Sequence, residues 1–208
     1  MKKLPFVDRN VIFVFLVPFV FLVSINLIMG DCDLFTLINM RINNFVLDIV
    51  CVYVSPILFF IFYLFTLVTL YVTHRSSHLA YGVISLATGL VSYCIGSLMK
   101  LLVQRPRPFT VLNSVRVIGP WETSSFSFPS TTTMLAFGLA LPILFLYEKR
   151  HFGTVLSILA YFIGFSVIYA GFHFPSDIVA GIIFSFCIAF CTRKMKGTIT
   201  DLLGRKQT

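Results

Sequence analysis

Six continuous apolar runs dominate this sequence and restrict the folds it can form. They cover residues 11–29, 50–72, 79–103, 129–147, 153–171 and 177–192. A helix that crosses a bilayer needs about 20 apolar residues, and most of the runs approach or exceed that length. The runs are continuous rather than alternating, which predicts helices and not barrel strands. Only 12% of the residues are charged, against roughly 25% in soluble domains, so we predict an all-α integral membrane protein with six transmembrane helices.

The positions of the lysine and arginine residues predict how this bundle is oriented. An even number of spans leaves both termini on one side, and that side carries most of the positive charges. Both termini are therefore expected in the cytoplasm, with the loop at residues 104–128 on the extracytoplasmic side of the cell (inner) membrane. The same distribution accounts for the net charge of +8, so the expected partner is the lipid bilayer and not a nucleic acid. No sequence feature indicates an oligomeric state.

The length of the chain predicts a single membrane domain over residues 1–208, with a basic tail at residues 193–208 lying at the inner membrane surface. Residues 34–49 carry apolar side chains at helical spacing interrupted by polar ones, which predicts an amphipathic interfacial helix before the second span. Such a helix could act as a lid or lipid entry point, or simply connect two spans. The five cysteines are scattered without metal-ligand spacing, and we expect neither a metal nor another cofactor.

A group of cations follows the third apolar run. Lys100 ends that run, and Arg105-Pro106-Arg107-Pro108 comes shortly after it. Proline cannot continue a helix, so the chain must turn there, with two guanidinium groups close together. Arginine is suited to bidentate phosphate binding, although cations at a helix end can also anchor it to lipid headgroups. Lys100, Arg105 and Arg107 are candidate phosphate-binding residues.

The fourth apolar run begins with a short polar segment that fits a helix N-terminus. Ser130 is placed as the N-cap, followed by Thr131 and Thr132. The first backbone N–H groups of a helix have no intrahelical partner and can bind an anion. Taken alone, the pattern favours a capped helix without a ligand. Ser130, Thr131 and Thr132 are further candidates for phosphate binding.

A histidine and an aspartate, His173 and Asp177, lie four residues apart between the last two runs. Proline favours the first position of a helix, so a helix is predicted to begin near Pro175, with Asp177 in its first turn. A carboxylate can hold one imidazole nitrogen and leave the other free as a nucleophile or base. Taken alone, such a pair can equally be structural or merely solvated.

Together these segments resemble the type-2 phosphatidic acid phosphatase family. The family signature is Lys-x6-Arg-Pro, then Pro-Ser-Gly-His, then Ser-Arg-x5-His-x3-Asp. The resemblance covers roughly residues 46–192 and rests on a complete first motif, half of the second and most of the third, which are Lys100 to Arg107-Pro108, Pro129-Ser130, and Ser166, His173 and Asp177.

The resemblance implies an enzyme, a membrane lipid phosphatase acting at the extracytoplasmic face. In this family the histidine of the third motif is the nucleophile and the aspartate orients it, which implies those catalytic roles for His173 and Asp177. Lys100, Arg107 and Ser130 match the residues that hold the phosphate.

The chain departs from the family signature at two places. Thr131 and Thr132 stand where the family has Gly-His, whose histidine protonates the leaving group, and Val167 replaces a phosphate-binding arginine. General acid catalysis typically contributes about 10²–10⁴-fold, and a phosphate leaving group needs it less than an alkoxide does.

The missing acid therefore favours a diphosphate substrate such as a polyprenyl diphosphate. The alternatives are a lipid phosphotransferase of the same family, or an inactive member that binds or moves a lipid phosphate. A channel or transporter unrelated to phosphate is less favoured, because no charges lie mid-membrane to mark an ion path.

Overall fold

A computed structural model describes residues 12–73, 76–119 and 126–204, and in these ranges all regular secondary structure is helical. The described α-helices are α1 (Val17–Met29), α2 (Asp31–Thr36), α3 (Phe45–Ile49), α4 (Ser55–Val72), α5 (Ser76–Val103), α6 (Pro108–Val111), α7 (Thr131–Leu146), α8 (Arg150–Tyr169), α9 (Pro175–Thr192) and α10 (Lys196–Gly204). Segments of π-helix precede α1, follow α2 and join α3 to α4, and they are Ile12–Leu16, Leu37–Arg41 and Val50–Val54. A short 3₁₀ turn, Arg193–Met195, joins α9 to α10.

Several of these helices have the length and apolar character of membrane spans. Within the described ranges, four segments qualify, namely Phe45–Val72, Ser77–Val111, Arg150–Tyr169 and Pro175–Leu203. A fifth results if Phe13–Met29 and Asp31–Arg41, which meet at an angle of 110°, count as one broken span. Helix α7 is apolar, but its 16 residues extend only about 24 Å, against about 30 Å for a hydrocarbon core. The all-helical membrane bundle is confirmed, whereas the sixth span stays a prediction.

The segment after α1 differs from the single interfacial helix predicted over residues 34–49. The chain bends at Gly30, which has a φ of 82°, and the helix that follows ends at Arg41. A new helix begins at Phe45, because the Asn44 side chain accepts a hydrogen bond of 2.8 Å from the backbone N–H three residues on. The second span therefore begins earlier than predicted.

Helix α7 lies at the centre of the bundle and packs against α5, α8 and α9. Most of its side chains are buried, including those of Phe137 and Leu141. A helix that is apolar all round is typical of such a central position. Helices α7 and α5 approach each other closely at two glycines. A Cβ atom at Gly138 would lie only 2.8 Å from the Cα atom of Gly89. This packing fixes the N-terminus of α7, where Ser130 lies, inside the bundle.

A buried asparagine joins the segment after α2 to the rest of the bundle. The Nδ2 atom of Asn39 donates to the backbone oxygens of Arg116 and Tyr169, at 2.7 and 2.8 Å, and its Oδ1 atom accepts from the Arg116 N–H at 3.0 Å. Arg116 also pairs with Asp48. Because buried amide groups are costly to leave unpaired, these bonds hold the N-terminal segment against the loop after α6 and the end of α8.

The turn that precedes His173 depends on a glycine. Gly171 has a φ of 92°, and a Cβ atom there would lie 2.5 Å from the backbone oxygen of Arg116. Beyond this turn, the N–H groups of Phe172 and His173 both approach the Val167 oxygen, at 3.1 and 3.3 Å. The glycine thus allows the chain to reverse tightly and carry the imidazole back into the bundle.

Replacing Gly171 by alanine is expected to destabilise the protein by at least about 2 kcal/mol, because the left-handed backbone is strained for alanine and the new methyl group meets a backbone oxygen. Gly197 is a matched control, since it is helical and no atom lies within 4 Å of the added Cβ atom. Gly197→Ala should keep or raise the thermal unfolding midpoint in detergent. Equal midpoints for the two variants would contradict the role given to Gly171.

Candidate active site

The start of α9 brings His173 and Asp177 together inside the bundle. The helix begins at Pro175, as the sequence predicts, and both side chains are buried. The Nδ1 atom of His173 lies 3.5 Å from the Oδ2 atom of Asp177, which is longer than a well-formed hydrogen bond, and it has no other partner in the part of the chain described. Catalytic hydrogen bonds are often long in unliganded enzymes and tighten when charge develops. The pair is thus arranged so that Asp177 can stabilise a positive charge on the imidazole.

Burial determines the protonation state of His173. Removal from water disfavours the imidazolium ion and lowers the pKa of His173 to about 4, although the neighbouring Asp177 favours the charged form. The positive charges of Lys100 and Arg107 act in the same direction as burial. The imidazole is therefore neutral at pH 7, with one ring nitrogen available as a nucleophile.

The carboxylate of Asp177 is held by several donors. Its Oδ1 atom accepts from Arg105 at 2.8 Å, and its Oδ2 atom accepts from the Ser127 hydroxyl and, at 2.8 Å, from the Phe174 N–H. Its backbone oxygen accepts from the Ser130 N–H at 3.2 Å. Asp177 therefore links the start of α9 to the loop after α5 and to the start of α7. Its orientation toward His173 is set by these contacts.

Two buried cations, Lys100 and Arg107, lie close to the imidazole. The Nζ atom of Lys100 donates to the backbone oxygen of Ser127 at 3.3 Å, and Arg107 donates to the Phe172 oxygen at 2.9 Å. These contacts place both cations against the segments that hold His173 and its carboxylate. Two positive charges at this place give the site an attraction for an anion.

The guanidinium group of Arg105 is directed toward carboxylates. It pairs with Asp177 at 2.8 Å and with Asp31 at 2.6 Å, and it donates to the Ser176 hydroxyl at 2.6 Å. It also lies over the Phe174 ring, 4.3 Å from the centroid. Phosphate binding by Arg105 stays a prediction, and this geometry favours a role in holding Asp177 instead.

The start of α7 has the predicted cap. Ser130 is buried, and its hydroxyl accepts from the backbone N–H and the hydroxyl of Thr133, at 3.4 and 3.0 Å. Thr131 is half-buried and packs toward α5, where its methyl group lies 3.0 Å from the Cβ position of Gly96. The Thr132 side chain is exposed. The structure therefore brings Ser130 to Asp177, while phosphate binding by Thr131 and Thr132 stays a prediction.

A comparison with models of known protein families identifies the family of this chain. The family model described as the PAP2 superfamily matches residues 79–201. This chain belongs to the PAP2 superfamily. The match confirms the family predicted from the three motifs, and with it the prediction that the protein is a membrane phosphatase.

Three known proteins show how far the similarity extends. The chain is 31% identical to "Undecaprenyl-diphosphatase BcrC" of Bacillus subtilis over 71% of this chain and 74% of that protein. It is 29% identical to "Lipid A 4'-phosphatase" of Bacteroides thetaiotaomicron, over 48% of this chain and 46% of that protein. The crystal structure of a PAP2 type phosphatidylglycerolphosphate phosphatase from Bacillus subtilis aligns with a TM-score of 0.61 at 17% identity, covering 92% of this chain and 98% of that chain, which shows a shared fold.

The position of the missing third-motif arginine is filled by an apolar side chain in this PAP2 protein. Val167 packs against the hydrophobic core, and its backbone oxygen is used in the turn before His173. The departure thus removes one potential phosphate ligand without leaving an unpaired polar group. Lys100 and Arg107 stay the buried cations that are predicted to bind phosphate.

Three residues that contact the site were missed by sequence reasoning. Ser127 donates to the buried carboxylate of Asp177, while Asp31 and Ser176 share the guanidinium group of Arg105. Ser127 and Ser176 adjoin the recognised motifs, so their positions in the sequence could have indicated that they lie at the site. Asp31 lies far away in the sequence and outside the residues that the PAP2 family model matches.

The low pKa of His173 predicts the pH dependence of this PAP2 enzyme. If His173 is the nucleophile, its neutral form is the reactive one, so kcat/KM should show no loss from His173 protonation between pH 7 and pH 5 and should fall only near pH 4. Substrate phosphates also titrate in this range. Profiles should therefore be compared for two substrates whose phosphate pKa values differ. A shared loss of activity centred on the ordinary histidine pKa, about 6.5, would contradict this expectation.

Proposed function

We propose that this PAP2 protein removes the terminal phosphate of a polyprenyl diphosphate through a phosphohistidine at His173. The observation that carries the proposal is a buried, neutral imidazole beside Lys100 and Arg107, with threonine at position 132 in place of the family's acid. A diphosphate supplies a leaving group that needs little protonation, so the lack of this acid is tolerated. The similarity to an undecaprenyl-diphosphatase supports the same class of substrate.

In the first proposed step, the Nε2 atom of His173 attacks the terminal phosphorus atom. The bond from phosphorus to the bridging oxygen breaks, and the lipid monophosphate leaves with that electron pair. Asp177 faces Nδ1, which carries the proton, and stabilises the positive charge that develops on the ring. Lys100, Arg107 and the N–H groups at the start of α7 offset the charge on the phosphoryl oxygens.

In the second step, water attacks the phosphorus atom of the phosphohistidine. The P–N bond breaks, inorganic phosphate forms, and His173 returns to its neutral state. If the acceptor were a lipid hydroxyl instead of water, the same intermediate would make the protein a phosphotransferase.

Two alternatives have specific support. The similarity to a lipid A 4'-phosphatase favours a lipid phosphate monoester as substrate. The replacements at Thr131, Thr132 and Val167 favour a member that binds or moves a lipid phosphate without cleaving it. The retained imidazole and its buried carboxylate argue against the second alternative, because a binding protein does not need an oriented nucleophile.

The proposed function is tested by the release of inorganic phosphate from lipid diphosphates and monophosphates by the purified protein in detergent micelles. We expect release from a polyprenyl diphosphate. Failure to release phosphate from every lipid tested, with binding of the same lipids retained, would support the non-catalytic alternative.

We also propose that the protein has six spans, with α7 as a short sixth one, cytoplasmic termini and an extracytoplasmic active site. The candidate site lies at the end of α5 and the starts of α7 and α9. At the opposite ends of these helices and their neighbours lie Arg150, Arg193 and Lys196. By the positive-inside rule, the end that carries these cations faces the cytoplasm.

Cysteine labelling tests this orientation. In a variant without native cysteines, Val111→Cys on α6 should react with an impermeant maleimide in intact cells, and Leu202→Cys on α10 only after permeabilisation. Both native side chains are exposed, at 52% and 57%, so accessibility within the protein is matched. The reverse pattern would place the candidate site in the cytoplasm.

A further inference from the structure

Asp31 lies at the bend between α1 and α2 and contacts the start of α9. Its Oδ1 atom accepts from the Ser176 N–H at 2.8 Å, and its Oδ2 atom accepts from the Ser176 hydroxyl and from Arg105, both at 2.6 Å. The two helices are far apart in the sequence, and Asp31 lies outside the residues matched by the family model. The contact is therefore supplied by the N-terminal segment of this chain.

The bond from the Ser176 N–H gives α9 a cap that its own sequence lacks. Ser176 is the second residue of the helix, where a backbone N–H has no intrahelical partner. Such a group is ordinarily satisfied by the N-cap side chain, but the N-cap residue is Phe174, which has no acceptor. The carboxylate of Asp31 takes this place, and its negative charge also suits the positive end of the helix dipole.

Besides the Ser176 contact, Asp31 is linked through Arg105 to Asp177, the carboxylate beside His173. One nitrogen of the guanidinium group binds Asp31 and another binds the Oδ1 atom of Asp177. Because the guanidinium group is planar and rigid, fixing one nitrogen limits where the other can lie. The Oδ2 atom of Asp177 is left facing His173, with the Nδ1 atom at 3.5 Å.

The balance of charges at the site also connects Asp31 with Asp177. In the described part of the site, the three cations Lys100, Arg105 and Arg107 face the two carboxylates of Asp31 and Asp177. Without the charge of Asp31, Arg105 would be drawn more fully onto Asp177. This movement would turn the carboxylate of Asp177 away from the imidazole.

We infer that Asp31 is a positioning residue for the phosphatase reaction, which holds Asp177 and the first turn of α9 in place through Arg105 and Ser176. This inference rests on the proposed use of His173 as the nucleophile. The bent N-terminal segment would then contribute to catalysis although it does not contact the reacting atoms. The expected defect is slower phosphoryl transfer with unchanged substrate binding.

Asp31→Asn tests the inference, with Asp33→Asn as its matched control. Both aspartates lie in the first turn of α2, and Asp33 is exposed, so both substitutions remove the same charge from the same helix. Asp31→Asn should lower kcat by up to about 10²-fold while KM stays close to the wild-type value. Asp33→Asn should retain the wild-type kcat. Equal kcat values for the two variants would overturn the inference.

Further variants separate positioning from a general effect on folding. Asp31→Glu keeps the carboxylate and should recover part of the lost kcat, and Ser176→Ala should lower kcat less than Asp31→Asn because the Ser176 N–H and Arg105 links remain. In a His173→Ala background, Asp31→Asn should leave the Kd for the lipid diphosphate unchanged. A loss of affinity there would show that Asp31 acts on binding and not on positioning.

The imidazole resonances of His173 give a readout that does not require activity. The chain has four histidines, so the signal of His173 can be assigned by its loss in His173→Ala. Asp31→Asn should shift this signal, whereas Asp33→Asn should not. If the wild-type protein hydrolyses no lipid phosphate, the proposed function fails, but this comparison still decides whether Asp31 positions the His–Asp pair. An unshifted signal in Asp31→Asn would overturn the inference.

Discussion

Replacing His173 by alanine is expected to lower kcat for lipid diphosphate hydrolysis by at least about 10⁴-fold, because the reaction loses its proposed nucleophile. The side chain is buried next to Asp177 and close to Lys100 and Arg107, and alanine offers no nucleophilic atom at this position. Steady-state release of inorganic phosphate measures the effect. Affinity for the substrate should change little, since the cations and the start of α7 remain.

The matched control for this variant is His151→Ala. His151 is exposed near the start of α8, at the end of the bundle opposite the candidate site. Its replacement should leave kcat unchanged. If His173→Ala retained as much activity as His151→Ala, the phosphohistidine mechanism would be wrong.

A strong preference for diphosphates over monoesters is the second large effect that we expect. The histidine that protonates the leaving group in the family is replaced by Thr132, whose hydroxyl is far too weak an acid for this role. Because general acid catalysis contributes about 10²–10⁴-fold, kcat/KM for a polyprenyl diphosphate should exceed that for phosphatidate by at least about 10²-fold. Parallel assays on the two lipids, presented in the same detergent micelles, measure this ratio.

Thr132→His should raise the hydrolysis of monoesters selectively. The Thr132 side chain is exposed at the start of α7, so a larger side chain can be placed there without displacing the core. Thr132→Gln is the control, because glutamine adds similar bulk but no acidic proton. A gain in both variants would indicate an effect of size alone. Equal wild-type activity toward the two lipids would show that another residue supplies the proton.

Local chemistry made several features of the fold and site predictable. Proline residues fixed the end of α5 and the start of α9, and Ser130 was identified as an N-cap from its position before an apolar run. The spacing of the first and third motifs then identified His173, Asp177, Lys100 and Arg107 as one group. The structure brings these residues together, while their roles in the reaction stay proposals.

Long-range contacts explain what the sequence did not reveal. Asp31 and Arg105 are far apart in the chain, and nothing in either segment indicates that they form an ion pair. The phosphate-binding role predicted for Arg105 from its neighbours therefore took no account of the two carboxylates that surround it. The break before Phe45 was missed for a local reason, because the cap formed by Asn44 competes with continuation of the helix.

Trapping the covalent intermediate tests the central claim most directly. The protein would be mixed with a polyprenyl diphosphate labelled in its terminal phosphate, quenched within milliseconds under alkaline denaturing conditions, and digested for mapping of the labelled peptide. Label should appear on the peptide that contains His173, should be stable to base and labile to acid as a phosphohistidine is, and should be absent from His173→Ala. Hydrolysis at the full wild-type rate with no label on this peptide, or label on a different residue, would contradict the proposed mechanism.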